Sequence, residues 1–221
     1  MAIKLGGVGV TFDDRTALAD VTLELTAATT AVIGINGSGK STFARLLNGL
    51  QKPTAGSITI FGKAPSQKNT GFIFSNPDLQ IVMPTVFEDV AFSLRGQKLV
   101  AHEITERVFE ALAKVGLLEL EGASCQTLSS GQKQLLAIAG AFVRKPRLLI
   151  ADEPTTLLDL PNTQRITKIL HQSEAEQLVI VTHDLELAAT CEQAVWFDGG
   201  KLKQVGPSPK VIASYLASFN D

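Results

Sequence analysis

The sequence predicts an α/β fold: a mostly parallel sheet joined to an N-terminal antiparallel sheet, with an α-helical subdomain inserted in the chain between them. Three observations carry this. Residues 147–152 and 178–182 are continuous apolar runs of strand length, as in parallel strands covered on both faces, and a helical stretch near 160–175 separates them. Near the N-terminus the apolar residues alternate instead (Val8, Val10, Phe12, then Val21, Leu23, Leu25), with Asp13 and Asp14 at the turn between two strands. Between these regions, residues 78–145 read as largely helical.

Each element follows from its pattern. Residues 30–34 form a short buried strand, and Phe43, Leu46, Leu47 and Leu50 then recur at i, i+3, i+4 and i+7, a helix that must stop before Pro53. Residues 57–62 and 70–74 read as further strands. Over 103–115, Ile104, Val108, Leu112 and Val115 share one face, and Glu103/Arg107 and Glu110/Lys114 are spaced to pair along the helix surface. A helix opening near Ser130 carries Leu135, Leu136, Ala139, Phe142 and Val143 as its apolar stripe and closes before Pro146. No repeat or linker divides the chain, so the expectation is a single domain, with a core of residues 1–77 and 146–221 and a helical subdomain of residues 78–145.

Composition narrows the function classes. With 221 residues and 45% hydrophobic content the chain can bury a sizeable core. Lys plus Arg number 20 against 22 Asp plus Glu, so no global basic field points to nucleic acid. The longest uncharged stretch, residues 25–39, has 15 residues and three glycines, too short and too interrupted for a membrane-spanning helix. No secretory signal is visible, and cytosolic residence is expected. Cys125 and Cys191 stand in unlike contexts and read as ordinary reduced thiols.

The chemistry is concentrated in a few segments. Gly34-Ile35-Asn36-Gly37-Ser38-Gly39-Lys40-Ser41, followed by Thr42, fits G-x-x-x-x-G-K-[ST] between a strand and a helix. Glycines let backbone N–H groups converge on phosphate oxygens, the helix N-terminus adds partial positive charge, Lys40 adds a full one, and the Ser41 hydroxyl can ligate Mg²⁺. This defines the core as a P-loop nucleoside-triphosphatase. Residues 148–153 end an apolar strand in Asp152 and Glu153, at the edge where α/β sheets bind ligands. Asp152 is suited to hold Mg²⁺ through water, and Glu153 to polarise the water that attacks the γ-phosphate.

Ser129, Ser130, Gly131 and Gln132, preceded by Leu128, open a helix and offer hydroxyls and N–H groups either to an anion or simply to the helix as a cap. His183 follows the 178–182 strand at its C-terminal end. Phe12 sits at a hairpin end, either stacking on adenine or packing in the core. His102 and His171 read as solvated.

Taken in order, the phosphate loop, the 128–132 segment, Asp152 and Glu153, Asp159 and His183 resemble the ATPase subunit of ATP-binding-cassette (ABC) proteins over nearly the whole chain. The resemblance implies roles. Phe12 matches the adenine-stacking aromatic, the loop Leu157-Leu158-Asp159 the segment that communicates across a dimer, and His183 the residue that touches the γ-phosphate. It further implies a head-to-tail dimer, a homodimer being favoured, in which the phosphate loop of one chain and Ser129 to Gln132 of the other enclose each of two Mg-ATP.

Two departures stand out. Ser130 replaces the first glycine of the usual LSGGQ, and Ser75 stands where the family usually carries a Gln that reaches the metal and senses the membrane partner; Gln80, five residues on, is not its replacement. Within the family, residues 76–80 followed by 84–92 resemble the ATPases of energy-coupling-factor importers, which take up vitamins or transition-metal ions. The resemblance implies a peripheral subunit at the cytoplasmic face of the membrane, partnered by a transmembrane coupling protein and a substrate-binding membrane protein, with no direct contact with the transported substrate and no nucleic acid. The chain ends soon after Gly206-Pro207-Ser208-Pro209 without a long C-terminal dimerisation segment, a short form that resembles biotin-import ATPases best. The competing readings are a soluble ABC ATPase acting on nucleic acid or ribosomes, which needs a basic patch or coiled coil, and a P-loop kinase, which leaves residues 128–132 without a purpose.

Overall fold

The structure, a computed structural model, describes residues 2–156 and 158–219. The chain forms two compact units. The first runs to Thr70 and adds Ile150–Glu153 and the chain from Glu176 on; the second comprises Gly71–Leu149 and Pro154–Ala175.

In the first unit, β1 (Ile3–Phe12), β2 (Arg15–Leu25) and β4 (Ala55–Ile60) make the antiparallel sheet in the order β2-β1-β4, and β3 (Thr29–Ile33) lies outside it. Alternation buries Ile3 and Leu5 and, after an irregularity between Leu5 and Val8 that shifts the period by one residue, Val8 and Val10; Asp13, at φ 47°, turns the chain so that Phe12 pairs with Arg15. Strand β3 pairs in parallel with β7 (Gln177–Val181) on one side and β8 (Gln193–Asp198) on the other, and β9 (Lys201–Pro207) closes the edge antiparallel to β8. The apolar runs of β3 and β7 are buried residue after residue, as strands covered on both faces require.

Helix α1 (Lys40–Asn48) turns Phe43, Leu46 and Leu47 into this core, where the Phe43 and Phe197 rings meet at 5.1 Å. It ends one turn before Pro53 at Gly49, whose left-handed backbone lets its N–H donate to the Arg45 and Leu46 carbonyls. Helix α6 (Leu185–Ala189) and the C-terminal α7 (Ser208–Ala217) complete this unit. The β8–β9 hairpin, turned through Gly199 and Gly200, and α7 are elements that the sequence patterning left undefined. Burial pushes the Cys191 thiol up to about 12, so it is inert, and Cys125 of the second unit is likewise a buried free thiol.

The second unit holds β5 (Thr70–Ile73), which lies beside the start of β6 (Leu148–Asp152), together with α2 (Val86–Phe92), α3 (Ala101–Val115), α4 (Ser130–Phe142) and α5 (Leu160–His171). The mixed, mostly parallel sheet, the N-terminal antiparallel sheet and the helices agree with the expected fold class. Val108, Leu112 and Val115 of α3 are buried as their spacing requires. Glu110 and Lys114 pair at 3.0 Å. Glu103 does not serve Arg107: its carboxylate accepts from the Val100 N–H at 3.0 Å, capping the start of α3, and Arg107 reaches Gln97. An unsatisfied N–H at the first turn is a stronger claim on a carboxylate than an exposed ion pair. No helix of the described residues is long and apolar enough to cross a membrane.

Candidate nucleotide site

Within the first unit the phosphate loop springs from the end of β3 and delivers its last residues into α1. Gly34, Gly37 and Gly39 all take positive φ (145°, 78° and 103°), so the loop's winding depends on residues without Cβ. Lys40 Nζ donates to the carbonyls of Gly34 (2.8 Å) and Ile35 (3.0 Å), bracing the loop from inside. Burial pushes the Lys40 ammonium below its usual range, and the Glu153 and Asp152 carboxylates pull it back up.

The loop borders a cleft of about 400 Å³ lined by Phe12, Arg15, Ala17, Asn36, Gly37, Gly39, Lys40, Ser41, Thr42 and Glu153. Phe12 is 44% exposed and stands on this cleft, so the core-packing alternative for it falls away. Gly34, Ile35 and Ser38 do not line the cleft. Ser38 is buried, its N–H donates to the Ile35 carbonyl, and its hydroxyl has no partner among the described residues.

The Ser41 hydroxyl donates to Asp152 Oδ1 at 3.1 Å, which puts two hard oxygens side by side at the mouth of α1. Burial lifts the Asp152 carboxyl above the usual carboxylate range, while the Ser41 hydrogen bond and the Arg45 and Lys40 cations lower it. These donors suit Mg²⁺, which takes one or two protein oxygens and completes its shell with phosphates and water. Glu153, the next residue, sits at φ 52°, a left-handed conformation that non-glycine residues rarely adopt, and its N–H donates to the Val181 carbonyl at 2.8 Å. The His183 ring N–H at Nδ1 donates to Glu153 Oε2 at 2.7 Å. His183, 64% exposed, is thus joined to the carboxylate expected to act on water.

The remaining expected residues lie in the second unit. Ser129 caps α4: its hydroxyl accepts from the Gln132 N–H at 3.3 Å, and Gln132 Oε1 accepts from the Ser129 N–H at 2.8 Å. The capping role is therefore filled, and the Ser130 side chain is left exposed beside it. Gly131 is closed over by Asn162, whose side-chain atoms would come within 3.0 Å of an added Cβ. Asp159 caps α5 by accepting from the Asn162 N–H at 3.0 Å, and Leu157 lies outside the described residues.

Ser75 is exposed, and Gln80 is tied down elsewhere: its amide donates to the Ala137 carbonyl (2.9 Å) and accepts from the Phe74 N–H (3.3 Å). Lys133 of α4 pairs with Asp78 at 2.8 Å. Gln80→Ala should cost about 1–2 kcal/mol, because a half-buried N–H and a helix carbonyl lose their partner; faster amide exchange at Phe74 is the measurement, and unchanged exchange would show the bonds to be dispensable.

Sequence reasoning missed Arg15 and Ala17, which line the cleft. The signal was available for Arg15: two Asp residues separate it from Phe12, so a tight turn places the two opposite each other.

The sequence matches the ABC transporter family over residues 18–156. The biotin transport ATP-binding protein of Rhizobium etli is 40% identical over 97% of this chain and 98% of its own length. The energy-coupling factor transporter ATP-binding protein of Latilactobacillus sakei is 37% identical over 90% of this chain and 75% of its own. Among solved structures, cbiO1 of Clostridium perfringens, part of the ABC transporter complex cbiONQ, superposes with a TM-score of 0.87 at 31% identity, over 97% of this chain and 92% of that one. The chain belongs to the ABC transporter family, as an ATP-binding ATPase.

Proposed function

We propose that this chain is the ATP-hydrolysing motor of an energy-coupling-factor importer, closing as a homodimer around two Mg-ATP to drive uptake of a vitamin, biotin before a transition-metal ion. The observation that carries the ATPase half is the Ser41–Asp152 and Glu153–His183 pairing beside the braced loop. The importer half is supported by the biotin-transport and energy-coupling-factor relatives and by residues 76–80 and 84–92.

In this reading Phe12 stacks the adenine, and the loop N–H groups, Lys40 and Thr42 hold the phosphates. Ser41 and Asp152 would hold Mg²⁺, whose charge offsets that of the β- and γ-phosphates. The Glu153 carboxylate takes a proton from water as the water oxygen bonds to the γ-phosphorus. The bond from that phosphorus to the β–γ bridging oxygen breaks, and ADP leaves with the electron pair. His183 orients Glu153 and faces the transferred phosphoryl group. Residues 78–145 act as the helical subdomain of a single domain whose core is 1–77 and 146–221; its Ser129, Ser130, Gly131 and Gln132 reach the nucleotide on the partner chain, with Asp159 at the dimer seam. The subunit works at the cytoplasmic face of the membrane, beside a transmembrane coupling protein and a substrate-binding membrane protein, and never touches the cargo.

Two measurements test this. Affinity purification from detergent-solubilised membranes should recover integral membrane proteins; recovery with ribosomes or DNA instead reverses the reading. Cysteines at the exposed Asn36 and Ser130 should join separate polypeptides when ATP and magnesium are present, and failure to do so rejects the dimer.

A further inference from the structure

Beyond Lys40, the cleft carries one more cation. Arg15 opens β2 directly across the hairpin from Phe12, its register partner. Its guanidinium reaches the other way as well: a Cβ on Gly37 would meet Arg15 Nη2 at 3.6 Å, so the fork lies close beside the phosphate loop. Arg15 is exposed and lines the cleft, and its side chain makes no hydrogen bond or ion pair among the described residues. The adjacent carboxylates Asp13 and Asp14 stand at the turn and do not line the cleft. A planar, permanently charged donor fork without a protein partner, on the cleft beside the phosphate loop, suits a phosphate oxygen.

Position decides which phosphate. The loop and Lys40 take the β- and γ-groups, and Phe12 takes the base. Arg15 starts beside Phe12 on the backbone and ends at Gly37 of the loop, so its side chain spans the stretch that the α-phosphate of a stacked nucleotide would cross. We propose that Arg15 is a substrate-binding residue that clamps the α-phosphate, so that the cleft grips nucleotides at a point common to mono-, di- and triphosphates. This rests on the nucleotide-site reading above and adds a contact to it.

The test is nucleotide binding in the absence of hydrolysis, measured by calorimetry on the full chain with ATP, ADP and AMP. Arg15→Ala should weaken ATP and ADP by the same factor, on the order of tenfold at low salt, with AMP weakened alongside. Arg15→Lys should recover part of the loss, and raising ionic strength should shrink the difference between wild type and Arg15→Ala. Both variants should melt like wild type without nucleotide, because the side chain is exposed and unpaired. Wild-type affinity in Arg15→Ala overturns the inference, and a loss confined to ATP overturns the α-phosphate assignment. Lys40→Ala separates the two levels: if it binds ATP as wild type does, the nucleotide site itself is misplaced and the clamp falls with it.

Discussion

Glu153→Gln should slow ATP hydrolysis by about 100-fold or more while leaving ATP binding intact, and should yield a dimer that persists as long as ATP is present. The substitution keeps the shape, the backbone strain at φ 52° and a hydrogen-bonding partner for His183, and removes the negative charge and with it the capacity to accept a proton from water. Steady-state phosphate release and size-exclusion chromatography with ATP read the two halves separately. Unchanged turnover would move the general base elsewhere, and lost binding would mean that the carboxylate holds the loop rather than the water. His183→Ala should lower turnover as well, because the 2.7 Å bond to Oε2 helps to fix the carboxylate's direction.

Gly34→Ala should be strongly destabilising. A Cβ there would stand 2.1 Å from the backbone carbonyl oxygen of Phe197 and 2.7 Å from the buried Ser38 hydroxyl, at a φ of 145°. Neither Gly34 nor Phe197 can retreat: Ile33 and Trp196 are paired in the β3–β8 ladder immediately before them. Several costs combine, namely overlap, a disallowed backbone angle and a displaced strand pair, so a loss of about 3 kcal/mol or more is expected, a large part of a typical domain's 5–15 kcal/mol. Urea denaturation of the purified protein checks this. A loss under about 1 kcal/mol would show that the loop relaxes around the methyl.

What was legible in the sequence was whatever a fixed spacing encodes. The phosphate loop announces itself because Lys40 and Ser41 must follow the glycines at set offsets, and Asp152 and Glu153 because they terminate an apolar run. The parallel core strands were legible for the same reason: burial on both faces leaves no polar position to hide the pattern. Features decided by tertiary register were not. Arg15 belongs to no motif: the two-residue turn hints that it stands opposite Phe12, but its reach to Gly37 on the cleft is settled only by the fold. Glu103 has two partners within reach by spacing, and the helix start at Val100 wins over Arg107. The left-handed backbone of Glu153 has no sequence signature, since any residue other than glycine reads as ordinary there.

The fastening of residues 74–80 to α4 has a mechanical corollary. Three ties (Gln80 to Ala137 and Phe74, Lys133 to Asp78, and Gln134 to the Phe74 carbonyl) leave no slack between that segment and the helix whose first turn carries Ser130. If the proposed membrane partner docks on this segment, a tug on it should reach the serines as a tilt of the helix, like a spoke turning its rim, with these ties doing the work that a short side chain at Ser75 cannot.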